Sequence, residues 1–186
     1  MEFQEAWKTI LDEVAGALSK VKPDSVMKLI EAIESSKRVF VVGAGRSGLM
    51  VKTFAMRLMQ MGLESYVAGE TTTPPINQGD LVLVGSGSGE TGGPVSTVQV
   101  ARHPGVTVVA ITAFPNSTLA GLADLVITIP APTPKARSPQ SATSVQPMGS
   151  LFEQGLLTLL DAVILILMHR KQVTSDEMFK RHAMLE

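Results

Sequence analysis

The chain has no cysteine, which excludes disulfides and thiolate metal sites. It has few histidines, and His103, His169 and His182 are scattered without metal-ligand spacing, which argues against zinc. Basic and acidic residues nearly cancel to a net charge of −1 and no long basic run occurs, so nothing points to nucleic acid. The opening Met1-Glu2-Phe3-Gln4-Glu5 lacks the basic-then-apolar order of a signal peptide. There is no G-x-x-x-x-G-K-[ST], so a P-loop is absent. One apolar run, Leu151 to Met168, approaches the length of a membrane span, but Glu153, Gln154, Thr158 and Asp161 interrupt it. Acids near a bilayer centre are costly, so this run reads as a buried or subunit-facing helix. The expected setting is cytoplasmic, with neither membrane nor nucleic acid as partner.

What is present is a regular alternation. Phe3, Trp7, Ile10, Leu11, Val14 and Leu18 follow the spacing of an amphipathic helix. Pro23 and Asp24 start a second helix that continues through Met27, Ile30 and Ile33. From Arg38 the pattern becomes strand and helix in turn, with strands predicted at 38–42, 64–68, 80–84, 106–111 and 124–129. Helices are predicted at 47–61, 92–102 and 117–122. The short runs of Val, Leu and Ile are those of strands covered on both faces. The expected fold is therefore α/β: a doubly wound five-stranded parallel sheet with added N- and C-terminal helices. The whole chain, 1–186, reads as one domain, with N-terminal helices over 1–36, the βα sheet unit over 37–130 and C-terminal helices over 148–186. Between the last two lies a proline-rich irregular segment, 130–147, of the kind that is usually functional or mobile.

Two loops carry the chemistry. Gly43-Ala44-Gly45-Arg46-Ser47-Gly48 follows the first predicted strand, and Gly85-Ser86-Gly87-Ser88-Gly89-Glu90-Thr91 follows the third. Glycines expose backbone N–H groups and hydroxyls add short neutral donors, a set suited to a phosphate monoester at helix N-termini. The first loop also matches the G-x-G-x-x-G dinucleotide fingerprint, with Glu64 near the distance for a ribose-binding acid. The chain has no room for a second mononucleotide half, and the second loop repeats chemistry that one pyrophosphate would not need. In the strand order 2-1-3-4-5 the first and third strands are neighbours, so both loops would border one cleft at the switch point. A sugar-phosphate site is the preferred reading, with tight strand-to-helix turns as the plain alternative for either loop alone.

Taken with Ala55-Met56-Arg57-Leu58-Met59, Thr73-Pro74-Pro75, the stretch from Gln146 to Gln154 and the ending His182-Ala183-Met184-Leu185-Glu186, these loops resemble the sugar isomerase (SIS) domain family. Within it the chain is similar to the 6-phospho-3-hexuloisomerases. The resemblance runs nearly end to end and implies a flavodoxin-like SIS fold. It further implies interconversion of D-arabino-hex-3-ulose 6-phosphate and fructose 6-phosphate in the ribulose monophosphate route of formaldehyde fixation. It implies no metal or other cofactor, a homo-oligomer (a tetramer in the family) and a functional link to 3-hexulose-6-phosphate synthase.

Moving a carbonyl between C3 and C2 requires taking a proton from one carbon and returning one to its neighbour. A single carboxylate does both through a cis-enediolate if it reaches both carbons on one face. The resemblance assigns that role to Glu153. The residues alone favour a capping box instead, with Ser150 as N-cap and Glu153 reaching back to its N–H. His182 is the second catalytic candidate, since imidazole titrates near neutrality. Gly45, Arg46, Ser47, Ser86, Gly87, Ser88, Gly89, Glu90 and Thr91 are the candidate phosphate- and substrate-binding residues. Asp161 reads as a hydrogen-bonded structural group in the apolar helix. Rival readings are another phosphosugar isomerase, such as one for arabinose 5-phosphate, and a non-catalytic sugar-phosphate-binding module.

Overall fold

The structure, a computed structural model, describes residues 1–133 and 143–183. Half of the irregular segment expected over 130–147 therefore lies outside the described residues, as do the last three positions of the C-terminal helical region. Five parallel strands form one sheet: β1 (Val39–Gly43), β2 (Ser65–Val67), β3 (Leu81–Gly85), β4 (Thr107–Thr112) and β5 (Leu125–Thr128), in the order β2-β1-β3-β4-β5. The doubly wound α/β sheet expected from the sequence is the one observed. The strands begin a residue later than predicted, and β2, an edge strand paired to β1 alone, has only three residues.

Side chains alternate between two cores, as a period of two requires. Val39, Val41, Leu81, Leu83, Val109, Ile111 and Ile127 face one core. It is covered by α1 (Phe3–Leu18), α2 (Pro23–Ser35), α3 (Gly45–Gln60) and α6 (Ser150–Lys171). Phe40, Val42, Val82, Val84, Val108 and Ala110 face the other, under α4 (Gly92–Ala101) and α5 (Thr118–Leu122). The chain ends in the short α7 (Ser175–Phe179). Helix α6 has the length and hydropathy of a membrane span, yet half of its apolar window is buried in the body of the protein. Leu156, Leu160, Val163 and Leu167, spaced by three and four, form its buried stripe against α3 and the sheet.

Candidate active site at the ends of β1 and β3

Gly43 and Gly85 are register partners, so the two glycine loops leave adjacent strands at the same level. The strand order reverses there, and such switch points hold ligands in open α/β sheets. The first loop turns at once into α3, two residues earlier than predicted, which puts Arg46 and Ser47 in the first helical turn. The turn is tight: a Cβ on Gly43 would stand 2.8 Å from the Gly48 α-carbon. Thr91 ends the second loop as N-cap of α4, and α6 begins nearby at Ser150. Three helix N-termini thus meet around one cleft, each contributing positive dipole and free N–H groups.

The cleft has a volume of about 320 Å³, enough for a hexose phosphate. Gly45, Arg46, Ser47, Ser86, Gly87, Ser88, Thr91 and Glu153 all line it. Ser86 and Ser88 are buried, and their hydroxyl oxygens accept the N–H groups of Gly89 and Glu90, each at 3.2 Å. A hydroxyl whose lone pair is engaged in this way keeps its proton to donate. The loop is therefore a preset donor array.

The capping box expected at Ser150–Glu153 does not form. Gly149 is the N-cap, and no side chain caps the helix. Instead Arg46 Nη1 donates to Ser150 Oγ at 2.8 Å and pairs with Glu153 Oε2 at 3.0 Å. A charged guanidinium is a stronger partner than a neutral backbone N–H, so it takes both side chains. The capping box of this region lies one helix later, between Thr174 and Glu177.

A family model described as the SIS domain matches residues 32–158. The chain belongs to the SIS domain family. It is 46% identical over 186 residues to the 3-hexulose-6-phosphate isomerase of Bacillus subtilis, with all of both chains covered. It is 48% identical over 177 residues to the 3-hexulose-6-phosphate isomerase of Mycobacterium gastri, covering 95% of this chain and 88% of that one. A crystal structure of a Methanococcus jannaschii protein, from which a 3-hexulose-6-phosphate isomerase function was inferred, superimposes with a TM-score of 0.83 at 32% identity, covering 98% and 99% of the two chains.

Three sequence-predicted residues stand elsewhere in this SIS fold. Glu90 turns away from the cleft: its carboxylate accepts the Thr118 N–H at 2.7 Å and the Thr118 hydroxyl at 2.6 Å, which anchors the loop to the start of α5. Gly89, next to it, also lies outside the lining and folds under Ser117. His182 follows α7 on another face, exposed, with its ring near Phe179 at a depression shared with Arg57, Gln60 and Asp161. Within one chain it does not meet Glu153, because α6 leads away from the cleft for its whole length before α7 begins. Asp161, expected to be a hydrogen-bonded structural group, is exposed on the same depression. Glu64 accepts the Tyr66 hydroxyl at 3.3 Å and takes no part in the cleft.

Thr133, Met148, Gly149 and Phe152, to which the sequence reading gave no site role, also line the cleft, together with Ala44 of the first loop. Met148 holds φ at +58°, a conformation rare outside glycine and concentrated at functional sites. Met148 and Gly149 lie in the Gln146–Gln154 stretch that carries the resemblance, and Thr133 in the irregular segment, but only the fold brings these individual residues to the cleft.

Proposed function

We propose that the chain interconverts D-arabino-hex-3-ulose 6-phosphate and fructose 6-phosphate without a cofactor. The observation that carries this reading is the carboxylate of Glu153 in the same cleft as the Ser86–Thr91 donor loop. The relatives named 3-hexulose-6-phosphate isomerase support the choice of substrate. The phosphate is held by Ser47, Ser86, Ser88 and Thr91 and by the three helix N-termini, which leaves the carbon chain to run toward Glu153. Glu153 takes the C3 proton of fructose 6-phosphate, giving the 2,3-enediolate, and returns a proton to C2 while the O3 hydroxyl proton passes to O2, which yields the 3-ketose. Arg46 keeps Glu153 oriented in the free protein and donates to the developing enediolate oxygen, a charge best stabilised by a preset donor.

The protein works as a homo-oligomer, in keeping with the exposure of Phe3 (76%), Leu165 (66%) and Phe179 (74%) on its terminal helices. A tetramer in which His182 enters a neighbouring subunit's cleft reconciles that histidine with a catalytic role. The route would be cytoplasmic, fed by 3-hexulose-6-phosphate synthase.

Proton exchange tests the chemistry. Incubation with fructose 6-phosphate in deuterated water should introduce deuterium at C3, followed by NMR, together with the 3-ketose signal. Exchange at C1 instead would identify a 1,2-enediol and hence an aldose-ketose isomerase. Glu153→Gln keeps a hydrogen-bond acceptor for Arg46 but not the base, so turnover should fall by about 10²–10⁴ with little change in stability.

A further inference from the structure

Thr133 lies beyond the end of β5, at the wall of the cleft beside Gly87 and Phe152. Only 9% of it is exposed, and among the described residues its Oγ1 has no hydrogen-bond partner. Its neighbours are otherwise satisfied. Ser86 and Ser88 accept backbone N–H groups, Ser150 accepts from Arg46, and Thr112 both donates to Gly87 O at 3.3 Å and accepts from Phe114 N at 3.2 Å. A buried hydroxyl left unpaired is rare and destabilising, and valine would fill the same space without that penalty.

The side chain is also closely placed. A Cβ on Gly87 would stand 3.0 Å from Thr133 Cγ2 and 3.1 Å from Phe152 Cδ1. The methyl group therefore faces the middle of the phosphate loop, next to the residue that precedes Glu153. A step of about 120° about χ1 in one direction brings the threonine hydroxyl to the place the methyl occupies and moves the methyl to the Hβ position.

We propose that Thr133 is a substrate-binding residue whose hydroxyl donates to an oxygen on the carbon chain of the bound sugar phosphate. It thereby helps set the carbon chain between the phosphate loop and the base. The inference rests on the reading of this cleft as a sugar-phosphate site and adds a contact specific to the sugar.

Thr133→Val preserves shape and removes the hydroxyl, while Thr133→Ser preserves the hydroxyl. Both variants, with Ser88→Ala as a control, are titrated calorimetrically with fructose 6-phosphate and with inorganic phosphate, and their thermal unfolding is followed. Thr133→Val should bind fructose 6-phosphate about tenfold more weakly, equivalent to about 1.4 kcal/mol. It should bind inorganic phosphate like the parent and unfold at the same or a higher temperature. Thr133→Ser should stay close to the parent for both ligands. Parental binding of fructose 6-phosphate by Thr133→Val, with Ser88→Ala weakened, overturns the role of Thr133 and leaves the phosphate site standing. Parental binding by both overturns the cleft reading itself. Equal weakening toward inorganic phosphate would make Thr133 a support of the phosphate loop, and a lower unfolding temperature in Thr133→Val would give its hydroxyl a structural partner; either result overturns the proposal.

Discussion

The two glycine loops start side by side but are held by different means. The first is shaped by contact between backbones, with Gly43 against Gly48, and it runs straight into α3. Its left-handed residue, Gly45 at φ +55°, faces open space, and its polar group, Arg46, is half exposed and reaches across to α6. The second is bound to its surroundings at nearly every residue. Ser86 N donates to Ile111 O at 3.0 Å, Gly87 O accepts Ala113 N at 3.0 Å, and Gly89 O accepts Leu119 N at 3.1 Å. Its left-handed residue, Gly89 at φ +67°, is packed under Ser117 and Thr112. One loop thus delivers a movable charge from an open turn, and the other presents fixed hydroxyls from an enclosed one. That division suits a site that must hold an unchanging phosphate firmly while charge develops and disappears at the carbon chain.

The sharpest way to break the comparison is to add the same methyl group to both left-handed glycines. An alanine in that conformation costs about 1–2 kcal/mol by itself. Gly45→Ala should show only this cost, because nothing lies within 4 Å of its added Cβ. In Gly89→Ala the new atom also meets Ser117, and it would stand 3.1 Å from Thr112 Oγ1. Overpacking of this kind adds about 1–3 kcal/mol, so about 2–5 kcal/mol in total is expected. Denaturant unfolding measures both variants, and equal losses would mean that the second loop is as free as the first.

Binding gives the next contrast. A hydrogen bond from a neutral hydroxyl to a charged phosphate is worth about 1.5–3 kcal/mol. Ser88→Ala should lose at least that much affinity for fructose 6-phosphate, since it also releases the Glu90 N–H that Ser88 Oγ now holds. Ser47→Ala removes only a donor in the first turn of α3 and should cost less. If calorimetry finds Ser47→Ala the more damaging, the first loop rather than the second is the phosphate cradle.

Much of this was legible in the sequence because it is local. The short continuous apolar runs Val39–Val42 and Leu81–Val84 announce strands covered on both faces, and glycine and serine after each strand announce a ligand loop. The contacts that complete the site are not local. Arg46 and Ser150 are more than a hundred positions apart, and the pairing that replaces the expected capping box depends on α3 and α6 lying together. Glu90 follows the same rule: a carboxylate in a ligand loop reads as a site residue until Thr118 is found beside it. His182 shows the limit from the other side, since its residue type suggests chemistry and only the course of α6 carries it away from Glu153.

Each loop has its own carboxylate clamp, and acid should release the two unequally. Glu90 fastens the second loop to Thr118, whose hydroxyl and then backbone N–H hold the carboxyl below its ordinary value of 4.5. On the side of the first loop, Glu13 in α1 holds the segment that leads to Ser150, the partner of Arg46. Burial opposes its ionisation, but Ser144 Oγ at 2.6 Å, the Val145 N–H at 2.9 Å and Gln146 Nε2 at 2.9 Å outweigh that and bring it below 4.5 as well. A carboxyl with a lowered folded pKa contributes stability above its unfolded pKa and loses it as pH falls through the folded one. The parent should therefore keep its unfolding temperature down to about pH 5 and lose it progressively below 4.5. Glutamine in place of either residue removes part of that acid loss, at the cost of lower stability at pH 7. The change should be larger for Glu13→Gln, which bridges elements distant in sequence from a partly buried site, than for Glu90→Gln, which is exposed and screened by solvent. Thermal unfolding of the two variants between pH 3 and 7 ranks them. The reverse order would mean that the second loop, despite its many backbone bonds, depends on one exposed carboxylate for its shape.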